Sequence, residues 1–169
     1  MMTNLYYEAK TSASPEKIWE ILADLGGVMY FHPYVENSYY ISEDKEGVGA
    51  ARICEFFNGM KIEETAADWQ PGKSYTVNVA MLAGMTPPID TPTGELGLEA
   101  DSDGTCIYMR ITYTPRYGLL GRVMDRVMIR RQYEKMIPNI LRGLKHYAET
   151  GEVVDYEVFK KLESIPTAV

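Results

Sequence analysis

The chain has 169 residues, of which 46% are apolar and 24% charged, and this balance predicts one domain with a full hydrophobic core. Its formal net charge of -7 argues against a nucleic-acid partner, because neutralising phosphates requires a basic surface. The first residues carry no signal-peptide core and no run approaches about 18 apolar residues, so we expect a cytoplasmic protein with no stable membrane insertion.

The chain begins with a predicted strand and a predicted short helix. Apolar and polar residues alternate from Leu5 to Lys10, which indicates a strand with one solvated face. Residues 14–16, Ser-Pro-Glu, are typical of a helix start, because serine caps the first turn and proline needs no amide partner there. Gly26-Gly27 is predicted to end this helix, and residues 28–34 indicate one helical turn or a loop. The apolar stripe of the helix comprises Ile18, Ile21, Leu22 and Leu25.

From residue 35 the pattern changes to strands. Period-two alternation predicts six of them, at about residues 35–43, 49–57, 60–69, 74–82, 93–101 and 105–114. Pairs such as Asn58-Gly59 and Asp103-Gly104 indicate tight turns between them. Residues 84–92 are too long and too rich in proline for a tight hairpin, and we interpret them as a lid.

A long helix is predicted from Gly118 to Glu149. Its second half carries apolar residues at helical spacing, and Gly151 is a typical stop. The apolar residues of its first half point about 130 degrees away from those of the second half, so we expect a bend or break near Ile129–Tyr133. Pro138 offers a second site for a bend. The apolar residues of the second half are Tyr133, Met136, Ile137, Ile140, Leu144 and Tyr147.

The reactive residue types do not form a complete active site. Cys54 and Cys106 lie far apart without CxxC spacing, which predicts reduced, buried thiols. His32 and His146 are too few for a histidine metal site, and His146 is explained by its position at a helix end. No nucleophile with a base and no glycine-rich phosphate loop is present, so we expect no cofactor and no metal.

The order of elements predicts an α+β fold. A seven-stranded antiparallel sheet would curl around the long C-terminal helix, with one or two short helices after the first strand. One helix does not fill such a sheet, so folds of this kind tend to leave a cavity between sheet and helix. Residues 153–162 predict one further short helix, followed by a loose segment, 164–169.

Several segments, taken in order, resemble the START-like helix-grip superfamily, also called SRPBCC or polyketide cyclase/dehydrase-like. This superfamily includes the plant abscisic-acid receptors and the birch-pollen allergen group. The resemblance implies a cavity for a hydrophobic ligand but no fixed reaction. It suggests a helix-grip ligand-binding domain at 1–152 and a C-terminal tail at 153–169. The segments that carry it are residues 14–19, 22–24, 26–33, 47–52, Glu64 with Asp68, Gly104-Thr105, residues 117–121, 144–147 and 149–152.

The chain also departs from these relatives. Glu36 stands where the plant receptors have a lysine that meets the ligand carboxylate, which argues against the same acidic ligand. Their gate sequence is replaced by the short turn Phe57–Met60. The arginine that the aromatase/cyclases use near residues 63–65 is absent, which places cyclase chemistry in doubt.

Glu64 is the first candidate site residue. Strand parity places it on the same face as Ile62 and Ala66, directed into the cavity, where it would contact a ligand or transfer a proton. An inward carboxylate favours a ligand that carries a hydrogen-bond donor and disfavours an anionic one. The alternative is a carboxylate at the sheet rim paired with Arg52 or Lys61.

The other candidates are mostly apolar. His32, beside the Gly-Gly hinge, is either a contact at the cavity mouth or a satisfied loop histidine. The remaining predicted ligand-binding residues face inward from strands and from the long helix, and plain core packing is the alternative for each. With His32 and Glu64, the predicted ligand-binding set comprises Tyr75, Val77, Leu96, Met109, Tyr113, Met136, Ile140 and Leu144.

Three functions stay open at this stage. The first is binding or carriage of a hydrophobic small molecule such as a lipid, isoprenoid or polyketide-like compound. The second is a cyclase or dehydratase in which Glu64 is the acid or base, assisted by Tyr113 or His32. The third is an accessory domain that contacts a protein partner through the lid and residues 124–128.

The arginines at 122, 126 and 130 form either a solvated helix face or a contact for an anionic surface.

Overall fold

The computed structural model describes residues 2–163. The chain folds into seven strands, four α-helices, one 3₁₀ helix and one π-helical turn within that range, which confirms the predicted α+β helix-grip architecture. The elements are β1 (Thr3–Thr11), α1 (Pro15–Ala23), the 3₁₀ helix (Leu25–Tyr30), β2 (Val35–Tyr40), β3 (Ala51–Phe56), β4 (Lys61–Gln70), β5 (Ser74–Ala83), β6 (Ile89–Asp101), β7 (Gly104–Pro115), α2 (Gly118–Met124), the π turn (Asp125–Ile129), α3 (Arg130–Thr150) and α4 (Tyr156–Glu163).

All seven strands form one antiparallel sheet. The order across it is β1-β7-β6-β5-β4-β3-β2, so β1 and β2 are the edges. β1 pairs along its whole length with β7, from Thr3 opposite Tyr113 to Thr11 opposite Thr105. Because side chains alternate across each strand, one face of the sheet is apolar, and it buries Ile107 and Tyr113 of β7 completely.

The first helix forms where its capping residues predict it. The Ser14 hydroxyl accepts a hydrogen bond from the Lys17 amide at 3.2 Å, and Pro15 occupies the first turn. Ile18 and Leu22 are buried. The α-helix ends at Ala23, and the residues predicted to stop it, Gly26 and Gly27, lie instead inside the 3₁₀ helix that follows.

The long C-terminal helix is interrupted, as predicted, although earlier than predicted. A π turn at Asp125–Ile129 separates α2 from α3, just before the expected position at Ile129–Tyr133. A π turn changes the direction in which the following residues point, so the two halves do not share one buried face. Val123 and Val127 are exposed, whereas Ile140 of α3 is buried. α3 continues through Pro138 and ends before Gly151, whose φ is 73°.

The loop predicted as a lid is shorter than expected. β6 begins at Ile89, so residues 89–92 belong to the strand and only residues 84–88 connect β5 to β6. Ile89 pairs with Pro115, and the register shifts between Asp90 and Thr93, where Thr91 has a φ of 46°. An irregularity of this kind accommodates Pro92, which has no amide hydrogen to donate. The prediction that the whole of residues 84–92 forms a loop was therefore wrong.

The tail returns to the domain. The Val154 amide donates to the Tyr30 carbonyl at 2.9 Å, and α4 follows as predicted. Val154, Val158 and Phe159 pack against Tyr34 and Tyr147. The loose segment predicted at 164–169 lies outside the described residues, and the domain boundary at residue 152 stays a prediction.

Gly143 marks a close approach of α3 to the segment that carries His32. A Cβ atom at position 143 would collide with the backbone carbonyl oxygen of Phe31. We expect Gly143→Ala to lower the free energy of unfolding by about 1 to 3 kcal/mol, the usual effect of overpacking, although alanine is the better helix former by about 1 kcal/mol. Urea denaturation measures the change. The control is Gln132→Ala on the exposed face of α3, and a Gly143→Ala protein as stable as the parent would contradict the close approach.

Candidate functional site

A small cavity lies between the sheet and α3. Its volume is about 40 Å³, and its wall is apolar except at one side, where charged and polar groups meet. A site for a drug-sized ligand typically has about 300 to 1,000 Å³, whereas a water molecule needs only about 10 to 15 Å³ on a comparable measure. In this conformation the cavity therefore has room for only a few waters or one small chemical group. Its lining comprises Val28, Phe31, His32, Val35, Arg52, Cys54, Phe56, Ile62, Glu64, Leu96, Met109 and Ile140.

The polar side of the cavity is built on two neighbouring strands. The register of β3 and β4 places Arg52 directly opposite Glu64, and both side chains line the cavity. Arg52 Nε donates to Glu64 Oε2 at 2.7 Å, and Arg52 Nη1 donates to the Leu25 carbonyl at 2.7 Å. The Arg52 side chain is 3% exposed and that of Glu64 is 13% exposed. The two therefore form a buried ion pair that is also tied to the 3₁₀ helix.

Each member of the pair keeps the other charged. Burial alone raises the pKa of Glu64, but the charge and hydrogen bond of Arg52 outweigh it and lower that pKa below its ordinary value. Burial likewise acts to lower the pKa of Arg52, and the Glu64 carboxylate raises it above the usual range. Glu64 is thus a carboxylate and Arg52 a guanidinium at neutral pH.

Cys54 and His32 complete the polar side. The Cys54 Sγ lies 3.4 Å from Glu64 Oε2 and donates to it, and burial raises the pKa of this thiol. Burial lowers the pKa of His32 to about 4, with the positive charge of Arg52 acting in the same direction. His32 Nδ1 accepts a hydrogen bond from the Tyr34 amide at 3.3 Å, so the neutral ring carries its hydrogen on Nε2. Both groups are uncharged at neutral pH, and neither is an activated nucleophile or a strong base.

The predicted ligand-binding residues separate into two groups. His32, Glu64, Leu96, Met109 and Ile140 line the cavity. The others lie in the surrounding core. Of these, Met136 is half-buried, and Tyr75, Val77, Tyr113 and Leu144 are buried. Their role as ligand contacts stays a prediction.

Tyr113 has a partner away from the cavity. Its hydroxyl donates to Asp125, the buried first residue of the π turn, which also accepts from Thr3 Oγ1 at 3.1 Å. Arg130 Nη2 lies 3.6 Å from the same carboxylate. These contacts fix the helix to the edge strand β1 and to β7. Tyr113 does not line the cavity, and a role for it beside Glu64 stays a prediction.

The sequence did not identify Arg52 as a cavity residue. It was considered only as a partner for Glu64 at the sheet rim. Strand parity was the available signal, since Ala50, Arg52 and Cys54 share one face and all three are buried. The carboxylate is both paired and internal, so the two alternatives weighed for Glu64 describe one arrangement.

Among residues 2–163, neither a metal site nor a membrane-spanning helix is found. Within residues 2–163, no group of three histidine, cysteine, aspartate or glutamate side chains could hold a metal ion. Over the same residues, no helix combines the length and apolar character needed to cross a bilayer. Cys54 and Cys106 are free thiols, of which Cys54 is buried and Cys106 half-buried.

Comparison with solved structures shows the same fold in other proteins. The chain is similar to the Zhui aromatase/cyclase from Streptomyces sp. R1128, with 18% identity, a TM-score of 0.71, and coverage of 88% of this chain and 94% of that one. Ginseng major latex-like protein 151 from Panax ginseng shares 11% identity at a TM-score of 0.72, over 88% and 98% of the two chains. Ara h 8.0201 shares 13% identity with this chain at a TM-score of 0.69, and the match covers 89% of this chain and 99% of that one. At these identities the likeness concerns the fold alone.

Sequence comparison identifies the family. No curated protein matches the chain. The family described as "Polyketide cyclase / dehydrase and lipid transport" matches residues 2–149, which include every strand of the sheet, the cavity and nearly all of the long helix. The chain belongs to the polyketide cyclase / dehydrase and lipid transport family.

Proposed function

We propose that the protein binds a largely apolar small molecule inside the fold and holds one neutral polar group of that molecule at the Arg52–Glu64 pair. The supporting observation is the position of this pair on the wall of a cavity whose remaining lining, apart from Cys54 and His32, is apolar. A buried ion pair is often no more stabilising than apolar residues of the same size. Buried charged groups with shifted pKa values are typical of functional sites. The family description, which includes lipid transport, is consistent with an apolar ligand.

The hydrogen bonds of the pair favour a hydroxyl. Both hydrogen bonds that Glu64 accepts within the described residues go to Oε2, which leaves Oε1 to accept from a ligand. The guanidinium of Arg52 has five N–H groups and retains donors beyond those used for Glu64 and Leu25. A hydroxyl can donate to the carboxylate and accept from the guanidinium at once. A carboxylate ligand would be repelled by Glu64, and an amine by Arg52.

Binding a whole ligand requires the interior to open. A volume of about 40 Å³ accommodates the polar group but not an apolar body of ten or so carbon atoms. The cavity lining includes Met109, whose unbranched side chain adapts readily to the shape of its surroundings. None of residues 84–92 lines the cavity, so a lid role for the loop at 84–88 stays a prediction.

A binding role has better support than acid-base catalysis. The lowered pKa of Glu64 keeps it ionised at neutral pH, so it has no proton to give as a general acid. Its hydrogen bond from Arg52 makes it a weak base. His32, with a pKa of about 4, is a weak base too. A cyclase or dehydratase reaction would require a bound substrate to change these values.

Ligand binding can be tested with three molecules that share one apolar body. Native mass spectrometry of freshly purified protein first shows whether a small molecule co-purifies. Calorimetry then compares geraniol with geranic acid and geranylamine. We expect geraniol to bind at least about tenfold more tightly than either charged analogue, the effect of a hydrogen bond to a charged group. In the variant Arg52→Met/Glu64→Leu the affinity for geraniol should fall at least about tenfold, because the hydroxyl then has no charged hydrogen-bond partner.

Two results would overturn the proposal. One is the absence of both a co-purified molecule and binding of any of the three compounds. The other is an unchanged affinity for geraniol in the double variant. Conversion of geraniol or of the co-purified compound, abolished in the variant while binding persists, would establish an enzyme instead.

A further inference from the structure

The first half of the long helix presents an apolar stripe that nothing in residues 2–163 covers. The stripe consists of Leu119, Leu120, Val123 and Val127, whose side chains are 77%, 66%, 56% and 54% exposed. At about 100 degrees per residue these four positions share one side of the helix, opposite the buried Gly121 and Asp125. An exposed contiguous apolar surface of this kind usually marks an interaction site. We call it the α2 stripe.

Arginines border the α2 stripe. Residues 116–131 contain five arginines and one aspartate, while the whole chain has a net charge of -7. Arg122 and Arg126 are exposed on one flank of the stripe. In the described part of the chain, no ion pair involves Arg122, Arg126 or Arg131, whereas Arg116 pairs with Asp90 and Arg130 with Asp125. The surface is therefore apolar at its centre and basic at its edge.

The connection between β5 and β6 lies beside the same end of the helix. The Arg116 amide donates to the Pro88 carbonyl at 2.8 Å, which brings residues 84–88 next to the start of α2. This loop carries Met85, which is 84% exposed, and the exposed Tyr117 stands at the start of the helix. Met85 and Tyr117 therefore add an exposed apolar and an exposed aromatic side chain near the start of α2.

We infer that the α2 stripe docks on an anionic lipid surface, with helix α2 lying in the plane of the interface. A helix with an apolar face and flanking arginines binds such surfaces because the apolar side chains enter the acyl region and the cations meet the lipid phosphates. The charge argues against a second copy of the chain as the occupant, since two stripes face to face would bring like-charged arginines together. The inference requires no ligand in the internal cavity.

Vesicle co-sedimentation tests this docking. Vesicles of phosphatidylcholine alone are compared with vesicles that contain about one-third phosphatidylserine. We expect binding to the anionic vesicles only, and we expect 0.5 M NaCl to weaken it strongly, because salt at that concentration screens exposed charges. Arg122→Gln/Arg126→Gln should weaken binding at least about tenfold, from the usual effect of two basic residues near an anionic surface. Leu120→Ser/Val123→Ser should do the same by removing apolar insertion.

The control is Val48→Ser, which changes an apolar side chain that is 69% exposed on a different part of the surface. It should leave vesicle binding unchanged. Far-ultraviolet circular dichroism checks that all variants are folded, and geraniol binding checks the interior separately. Absence of binding to anionic vesicles at low salt would overturn the inference, as would equal binding to neutral vesicles. A dimer lost in the Leu120→Ser/Val123→Ser variant, without lipid binding, would assign the stripe to a second copy instead.

Discussion

Removing either member of the Arg52–Glu64 pair alone should destabilise the protein far more than removing both. Glu64→Leu leaves the buried guanidinium without its carboxylate, and Arg52→Met leaves the carboxylate without its cation. We expect each single change to lower the free energy of unfolding by about 3 to 5 kcal/mol. In the double variant no buried charge is left unpaired, so it should lie within about 1 kcal/mol of the parent protein. This difference is large beside a total stability of about 5 to 15 kcal/mol.

Urea denaturation of the four proteins measures the coupling between the two side chains. Lys10→Met serves as the control, because it removes the exposed ion pair between Lys10 and Asp101 and should change stability little. Single losses that simply add in the double variant would show that the two residues act independently. This result also determines which variant suits binding studies, since the double variant remains folded while the cavity loses its charges.

Stability should fall between pH 8 and pH 5 because of His32. The pKa of this buried ring is about 4 in the folded protein, against about 6.5 in an unfolded chain. Across this window the unfolded chain therefore binds the proton and the folded protein does not. Stability falls as the pH falls wherever the unfolded state binds more protons, and these two pKa values give a loss of about 2 kcal/mol by pH 5.

The variant His32→Asn isolates this effect. An asparagine oxygen can accept the hydrogen bond that the Tyr34 amide gives to His32 Nδ1, and asparagine does not titrate. The stability of this variant should change much less between pH 8 and pH 5. Glu64 lowers the stability further only below this window. That loss develops as the pH falls from the ordinary pKa of a glutamate towards the lowered pKa of Glu64. Equal slopes for the two proteins would show that His32 does not titrate as the structure indicates.

The sequence predicts the sheet well because its signals are local and repeated. Alternation in each strand and turns such as Asn58-Gly59 depend only on neighbouring residues, and the observed strands follow them closely. The start of β6 is the exception. Prolines normally argue against a strand, and the pairing of Ile89 with Pro115 is decided by distant residues.

The site was predicted less completely because it depends on contacts between elements. Parity placed Glu64 inside, yet the register that sets Arg52 opposite it arises from the pairing of β3 with β4. Tyr113 was predicted to bind the ligand or to assist Glu64. Its hydroxyl donates to Asp125, which is buried at the start of the π turn, and helical periodicity alone gives no sign of a π turn.

The position of β1 has a consequence for the order of folding. Among the strands of residues 2–163, β1 has β7 as its one neighbour. Thr11 Oγ1, at the end of β1, donates a 2.9 Å hydrogen bond to Glu149 of α3. Both partners follow it in the chain after all the other strands. Closing so long a loop costs conformational entropy before any contact compensates for it, and such contacts slow folding. During synthesis we therefore expect β1 to remain unpaired until β7 and α3 have been made. The domain is complete only when β1 pairs with β7 and contacts α3.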